Sequence, residues 1–203
     1  MRFFGKKENS IEELLKIPIE LRSNDQFKKI AEICYSAYEV DPKNIFAMRE
    51  MMTCSLHLWM PDNAIFWADK ILEIDECDLQ ALGTKASALS DKGMHGKDKT
   101  STQESVNIYK IILEIDENNL GAMMGLCTSY QDMKKYEEAM KWIDASLKHQ
   151  ELPLRMGTKG LLFYFLEDYD EAMKWCDNAL KIQPDSVSLQ QTKKLILEKL
   201  NQV

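Results

Sequence analysis

Five cysteines (34, 54, 77, 127 and 176) and three histidines (57, 95 and 149) are the side chains best suited to hold a metal or act as a nucleophile. No two cysteines lie closer than 20 residues, so there is neither a zinc knuckle nor a thioredoxin-type dithiol. No histidine has a second ligand three or four residues on, so no motif argues for zinc or for a Cys-His pair. An odd number of thiols, mostly among apolar or small neighbours, reads as free cysteines used as core hydrophobes in a reducing cytoplasm. Cys77 is the exception, since it stands among carboxylates, an environment unlike that of a reactive cysteine. Asp75, Glu76 and Asp78 crowd one turn but lack the glycine and the final glutamate of a calcium loop. Gly93, Gly96, Lys97 and Thr100 approach a phosphate loop, yet Asp98 stands where the hydroxyl should be and no strand precedes. The expectation is a chain that is not an enzyme and uses no metal and no cofactor.

What must be positioned is therefore a surface. The chain has 203 residues, enough for one domain or slightly more. It is 45% hydrophobic and 29% charged, as expected of a folded globular chain. A formal charge of −7 disfavours nucleic acid as a partner, because there is no surplus of cations to neutralise phosphates. No apolar run reaches the ~20 residues of a membrane span, and no apolar core follows the basic start, so neither membrane nor secretory signal is expected. Alternating strand patterns and Asn-Gly or Asp-Gly turns are missing, while apolar spacings of three and four dominate, so the chain reads as all-helical.

The sequence also repeats itself. Ile71-Leu-Glu-Ile-Asp-Glu76 returns as Ile112-Leu-Glu-Ile-Asp-Glu117, and Gly83-Thr-Lys85 as Gly157-Thr-Lys159. Tyr136-Glu-Glu-Ala-Met-Lys-Trp142 returns as Tyr169-Asp-Glu-Ala-Met-Lys-Trp175. Asp168-Tyr-Asp-Glu-Ala172, followed by Ala179-Leu180 and Pro184, with Gly160 and Phe163 before it, resembles the tetratricopeptide repeat (TPR) family. The likeness is strongest over 120–185, clear over 45–119 and faint over 11–44. Ala139 and Ala172 fall where two helices cross, and a small side chain there lets backbones approach. Trp67, Trp142 and Trp175 recur three residues after Ala64, Ala139 and Ala172, on the buried face. The resemblance implies a right-handed α-solenoid of antiparallel helix pairs. We partition the chain into a flexible start (1–10), a degenerate repeat (11–44) and repeats at 45–78, 79–119, 120–152 and 153–185. The last stretch, 186–203, is a capping helix with a stripe of Leu189, Ile196 and Leu200, or else a dimerisation helix. Repeat 79–119 is longer than its neighbours, and the excess is expected as a polar surface loop near 90–103.

In that family the first helix of each pair lines a concave groove that holds a peptide or a partner helix. Carried over by position, the groove would present Phe46, Arg49 and Thr53 from the first clear repeat and Gln80, Thr84 and Ser87 from the second. Met124, Gly125 and Thr128 follow from the third, and Leu154, Thr158, Leu161 and Phe165 from the fourth. The middle is rich in glycine and hydroxyls. Helical glycine costs ~1 kcal/mol against alanine, so something approaches closely there, either a ligand or a neighbouring helix. The ends are apolar and suit an amphipathic segment. Lys85 and Lys159, each after Gly-Thr, are candidate contacts for an anionic ligand, or else bury their stems and reach the edge. The Lys-Asn pattern with which some members grip a peptide carboxylate is missing, since Arg49, Thr53, Thr84, Gly121 and Gly125 occupy the candidate places. The function expected is a cytoplasmic adaptor for a protein or peptide partner. The alternative is a homo-oligomeric scaffold; an acidic stretch at 45–78 and a basic tail at 186–203 would either steer partners or let two copies stack head to tail.

Overall fold

In the computed structural model the described residues are Lys16, 22–96 and 98–201. The expected flexible start at 1–10, and most of 11–21, lie outside them. The described residues form ten helices and no strand: α1 (Asn24–Val40), α2 (Ile45–His57), α3 (Pro61–Leu72), α4 (Leu79–Gly96), α5 (Lys99–Ile115), α6 (Leu120–Asp132), α7 (Tyr136–His149), α8 (Pro153–Phe165), α9 (Tyr169–Ile182) and α10 (Val187–Leu200). The fold is an all-α repeat.

Local chemistry sets the helix starts. Ser23 and Gln26 form a reciprocal capping box before α1. Asn44, Asn119, Asp168 and Ser186 accept hydrogen bonds from the first turns of α2, α6, α9 and α10. Pro61 and Pro153 open α3 and α8, where a missing N–H costs nothing. The turns after α2, α6 and α8 each use a left-handed residue, Trp59 (φ 56°), Lys134 (φ 59°) and Glu167 (φ 63°). One turn geometry is thus reused in three repeats.

The chain divides into two compact units, Met1–Ile108 and Tyr109–Val203, with the division inside α5. In the first unit Phe27, Ile30 and Cys34 of α1 meet Met48, Met51, Met52 and Cys54 of α2, with Trp67, Ala68 and Ile71 of α3. In the second, Cys127, Ala139, Ile143 and Leu162 form one cluster, and α10 lays Leu189 and Ile196 among residues of α8 and α9. Leu200, the third member of the expected stripe, is instead exposed. Ala64, Ala139 and Ala172 are fully buried, and Gly160 has the Ala172 carbonyl 3.1 Å from where its Cβ would lie, so these helices cross at close range.

The expected loop at 90–103 is for the most part helix. α4 runs on to Gly96 and α5 begins at Lys99. Two residues make this corner. A Cβ on Gly93 would sit 2.0 Å from the Thr102 hydroxyl, so only glycine fits. Asp98 accepts hydrogen bonds from the Thr100 N–H (3.0 Å) and the Ser101 hydroxyl (2.6 Å), starting α5. The polar sequence is a helix cap, not a long connection.

Candidate protein-interaction surface

The first helices are α2, α4, α6 and α8. In the first unit Phe46, on α2, is 53% exposed. Thr53, Thr84 and Ser87 are half-buried. Arg49 is not free to meet a ligand: its guanidinium donates to both oxygens of the buried Asp78 carboxylate and to Gln80 Oε1. Asp78 also accepts from the Ala81 N–H at 2.8 Å, so Arg49, Asp78 and Gln80 clamp α2 to the start of α4. Two residues expected to line the groove thus tie helices together.

In the second unit Met124 packs on the Cys127–Ile143 cluster and is partly core. The Thr128 and Thr158 hydroxyls donate back to the Met124 and Leu154 carbonyls, at 3.1 and 3.0 Å. Along α8, Leu154, Thr158, Leu161 and Phe165 follow the i, i+4, i+7, i+11 spacing of one helix face. Leu154 is 66% and Phe165 38% exposed, and Leu161 is half-buried. Phe165 stacks on Tyr136 with ring centroids 4.9 Å apart, which fixes its ring and leaves one side to solvent. This stripe is the most apolar exposed part of the expected surface.

The glycines are explained mainly from within. A Cβ on Gly125 would lie 2.2 Å from Tyr109 Cζ, and one on Gly157 would lie 2.2 Å from Leu189 Cδ2. Gly125 therefore makes room for an aromatic ring of its own unit, and its glycine gives no evidence of a ligand. Gly83 alone of these has nothing within 4 Å.

The two lysines are also absorbed. Lys85 pairs with Asp69 at 2.7 Å, and Lys159 with Asp144 at 2.6 Å. Lys159 further lies 4.1 Å over the Trp175 ring. Each ammonium thus has a carboxylate partner on the preceding helix of its own unit. Lys193 and Asp177 repeat the arrangement at 2.7 Å.

Four of the cysteines are buried and Cys77 is exposed. Burial pushes the thiols of Cys34, Cys54 and Cys127 up to about 12, so they stay protonated near neutrality. His57 stacks on Phe27 at 4.5 Å. No group of three or more metal-ligating side chains occurs among the described residues.

Sequence reasoning missed Arg155, a buried arginine whose Nη1 donates to the Gln150 carbonyl (3.2 Å) and the Ser146 carbonyl (3.4 Å). It closes the end of α7, where a cation is favoured. The signal was a lone arginine just after a helix-starting proline. Trp59 was missed too, although the aligned places hold Lys134 and Glu167.

Residues 156–186 match the tetratricopeptide repeat family. No curated protein sequence matches the chain. Among solved structures the chain is similar to TTC0263, described as a thermophilic TPR protein in Thermus thermophilus. They share 13% identity and a TM-score of 0.75 over 92% of this chain and 98% of that one. A tetratricopeptide repeat protein from Parabacteroides merdae gives 17% identity and a TM-score of 0.75, over 95% and 74% of the two chains. YrrB, described as a TPR protein with an unusual peptide-binding site, gives 17% and 0.66 over 93% and 97%. These likenesses share one fold, the all-helical repeat.

Proposed function

We propose, from the premise that this chain carries a tetratricopeptide repeat and has the fold of TPR proteins, that it is a non-enzymatic interaction module. It holds an apolar peptide or the apolar face of a partner helix on the first helices. The observation that carries this reading is the stripe on α8. Leu154, Leu161 and Phe165 present apolar surface on one helix face, and ordering water over it is unfavourable. Apolar residues at this spacing are how one helix receives another. Phe46, on a first helix of the first unit, is a separate exposed apolar residue. No helix of the described residues is long and apolar enough to cross a membrane. The free thiols fit a reducing compartment, so we place the protein in the cytoplasm.

The test compares wild type with the Leu154→Glu/Leu161→Glu double variant in affinity capture from lysate of the source cells, with helicity checked by circular dichroism. A partner retained by wild type and lost by the folded variant supports the reading. Equal retention by both contradicts it. Mass measured by light scattering over a range of concentrations separates a partner protein from a second copy of this chain.

A further inference from the structure

Trp59 is 79% exposed, in the left-handed turn between α2 and α3. A bulky side chain is disfavoured in that conformation, and the matching turns carry Lys134 and Glu167. Its indole borders a cavity of about 300 Å³ within the first unit. The walls are Leu56, Met60 and Pro61 on one side and Asp91, Lys92 and His95 of α4 on the other. Such a volume lies at the small end of ligand sites and suits one side chain better than a whole cofactor.

The polar groups in it are unequal. Lys92 is already paired with Asp62 at 2.7 Å. Asp91 is half-buried and, among the described residues, neither accepts a hydrogen bond nor forms an ion pair. Burial pushes its carboxyl above the ordinary aspartate range, with His95 opposing the shift. A half-buried carboxylate with neither a hydrogen bond nor an ion pair is costly, and a cationic guest would relieve that cost. An exposed indole next to it favours a flat, weakly hydrated cation. The apolar walls suit an alkyl stem.

We propose that this cavity takes the side chain of an arginine from a partner protein, its guanidinium on the Asp91 carboxylate and against the Trp59 indole. The site lies in the other unit from the α8 stripe and does not depend on it. Its failure would leave the peptide reading untouched.

The experiment uses the full chain, labelled with nitrogen-15, and follows the Trp59 indole N–H by NMR. The probes are N-acetyl-arginine methylamide and its citrulline counterpart, which has nearly the same shape but no charge. The arginine probe is expected to shift the Trp59 signal saturably, with the citrulline probe about tenfold weaker or more. Asp91→Asn, an isosteric change, should abolish the difference between the probes while the rest of the spectrum stays in place. Equal responses to both probes in wild type, no saturable response to arginine, or an arginine preference that survives Asp91→Asn would each overturn the assignment.

Discussion

Gly125 and Gly83 are both helical, and their surroundings are opposite. Gly125 has the Tyr109 ring where a methyl group would go, and Gly83 faces open space. Gly125→Ala should destabilise the protein by about 1–3 kcal/mol, because the ring must be displaced in a packed interior. Gly83→Ala should stabilise it by about 0.5–1 kcal/mol through helix propensity alone. Urea unfolding of the two variants checks both signs. If Gly83→Ala weakens partner binding while it stabilises the fold, the open surface of α4 is part of the binding face. Sequence alone could not separate these glycines. Each has a helical neighbourhood, and Tyr109 reaches Gly125 from another helix. The ion pairs of Arg49, Lys85 and Lys159 were illegible for the same reason: their carboxylates lie 29, 16 and 15 residues away in sequence, and no local spacing announces such a pair. Helix starts, by contrast, have their environment set within one turn. Examples are the capping Asn44 and Asp168 and the helix-starting Pro61 and Pro153.

Successive helices are fastened by a recurring pair. Lys85–Asp69, Lys159–Asp144 and Lys193–Asp177 link each of α4, α8 and α10 to the helix just before the turn that leads into it. Lys110 and Leu126 stand at the matching places of α5 and α6, so the motif is interrupted there. The pairs differ in exposure, and so should their energetic weight. The Lys159 side chain is only 14% exposed, and Asp144 Oδ1 is buried. Lys159→Ala should cost about 1–3 kcal/mol, since it uncovers Trp175 and strands that oxygen. Lys193→Ala, at a more open site, should cost about 0–1 kcal/mol. Denaturant midpoints of the two variants test that order. The start of α5 gives a pH signature. The Asp98 carboxyl is held down at about 2 by hydrogen bonds from Ser101 and then Thr100. Its folded pKa lies below the unfolded value near 3.9, so the stabilisation is present above that value and is lost as pH falls towards about 2. In Asp98→Ala the fall in stability over that acid window should be shallower than in wild type, as urea titrations at several pH values would record. The helical stretch at 90–103 was illegible because its composition is that of a loop, while Gly93 and Asp98 shape a corner instead.

For the molecule as a whole, the repeat was the legible part. Three echoes, the missing strand signals and the Ala-x-x-Trp register were enough to indicate an all-helical repeat, because each helix pair must bury one face on its neighbours. The site was legible only as a class of surface. Register places its candidate apolar members on one face of α8, whereas the Trp59 cavity arises from a turn and a distant helix end. The proposal that partners are held on α8 is tested most directly by placing a photo-crosslinking amino acid at position 161, and separately at Lys141 on the exposed side of α7, in cells of the source organism. The account predicts that the residue at 161 links to a different protein and that the residue at 141 does not. Links formed at 141 but not at 161, or links at 161 only to a second copy of this chain, would contradict it.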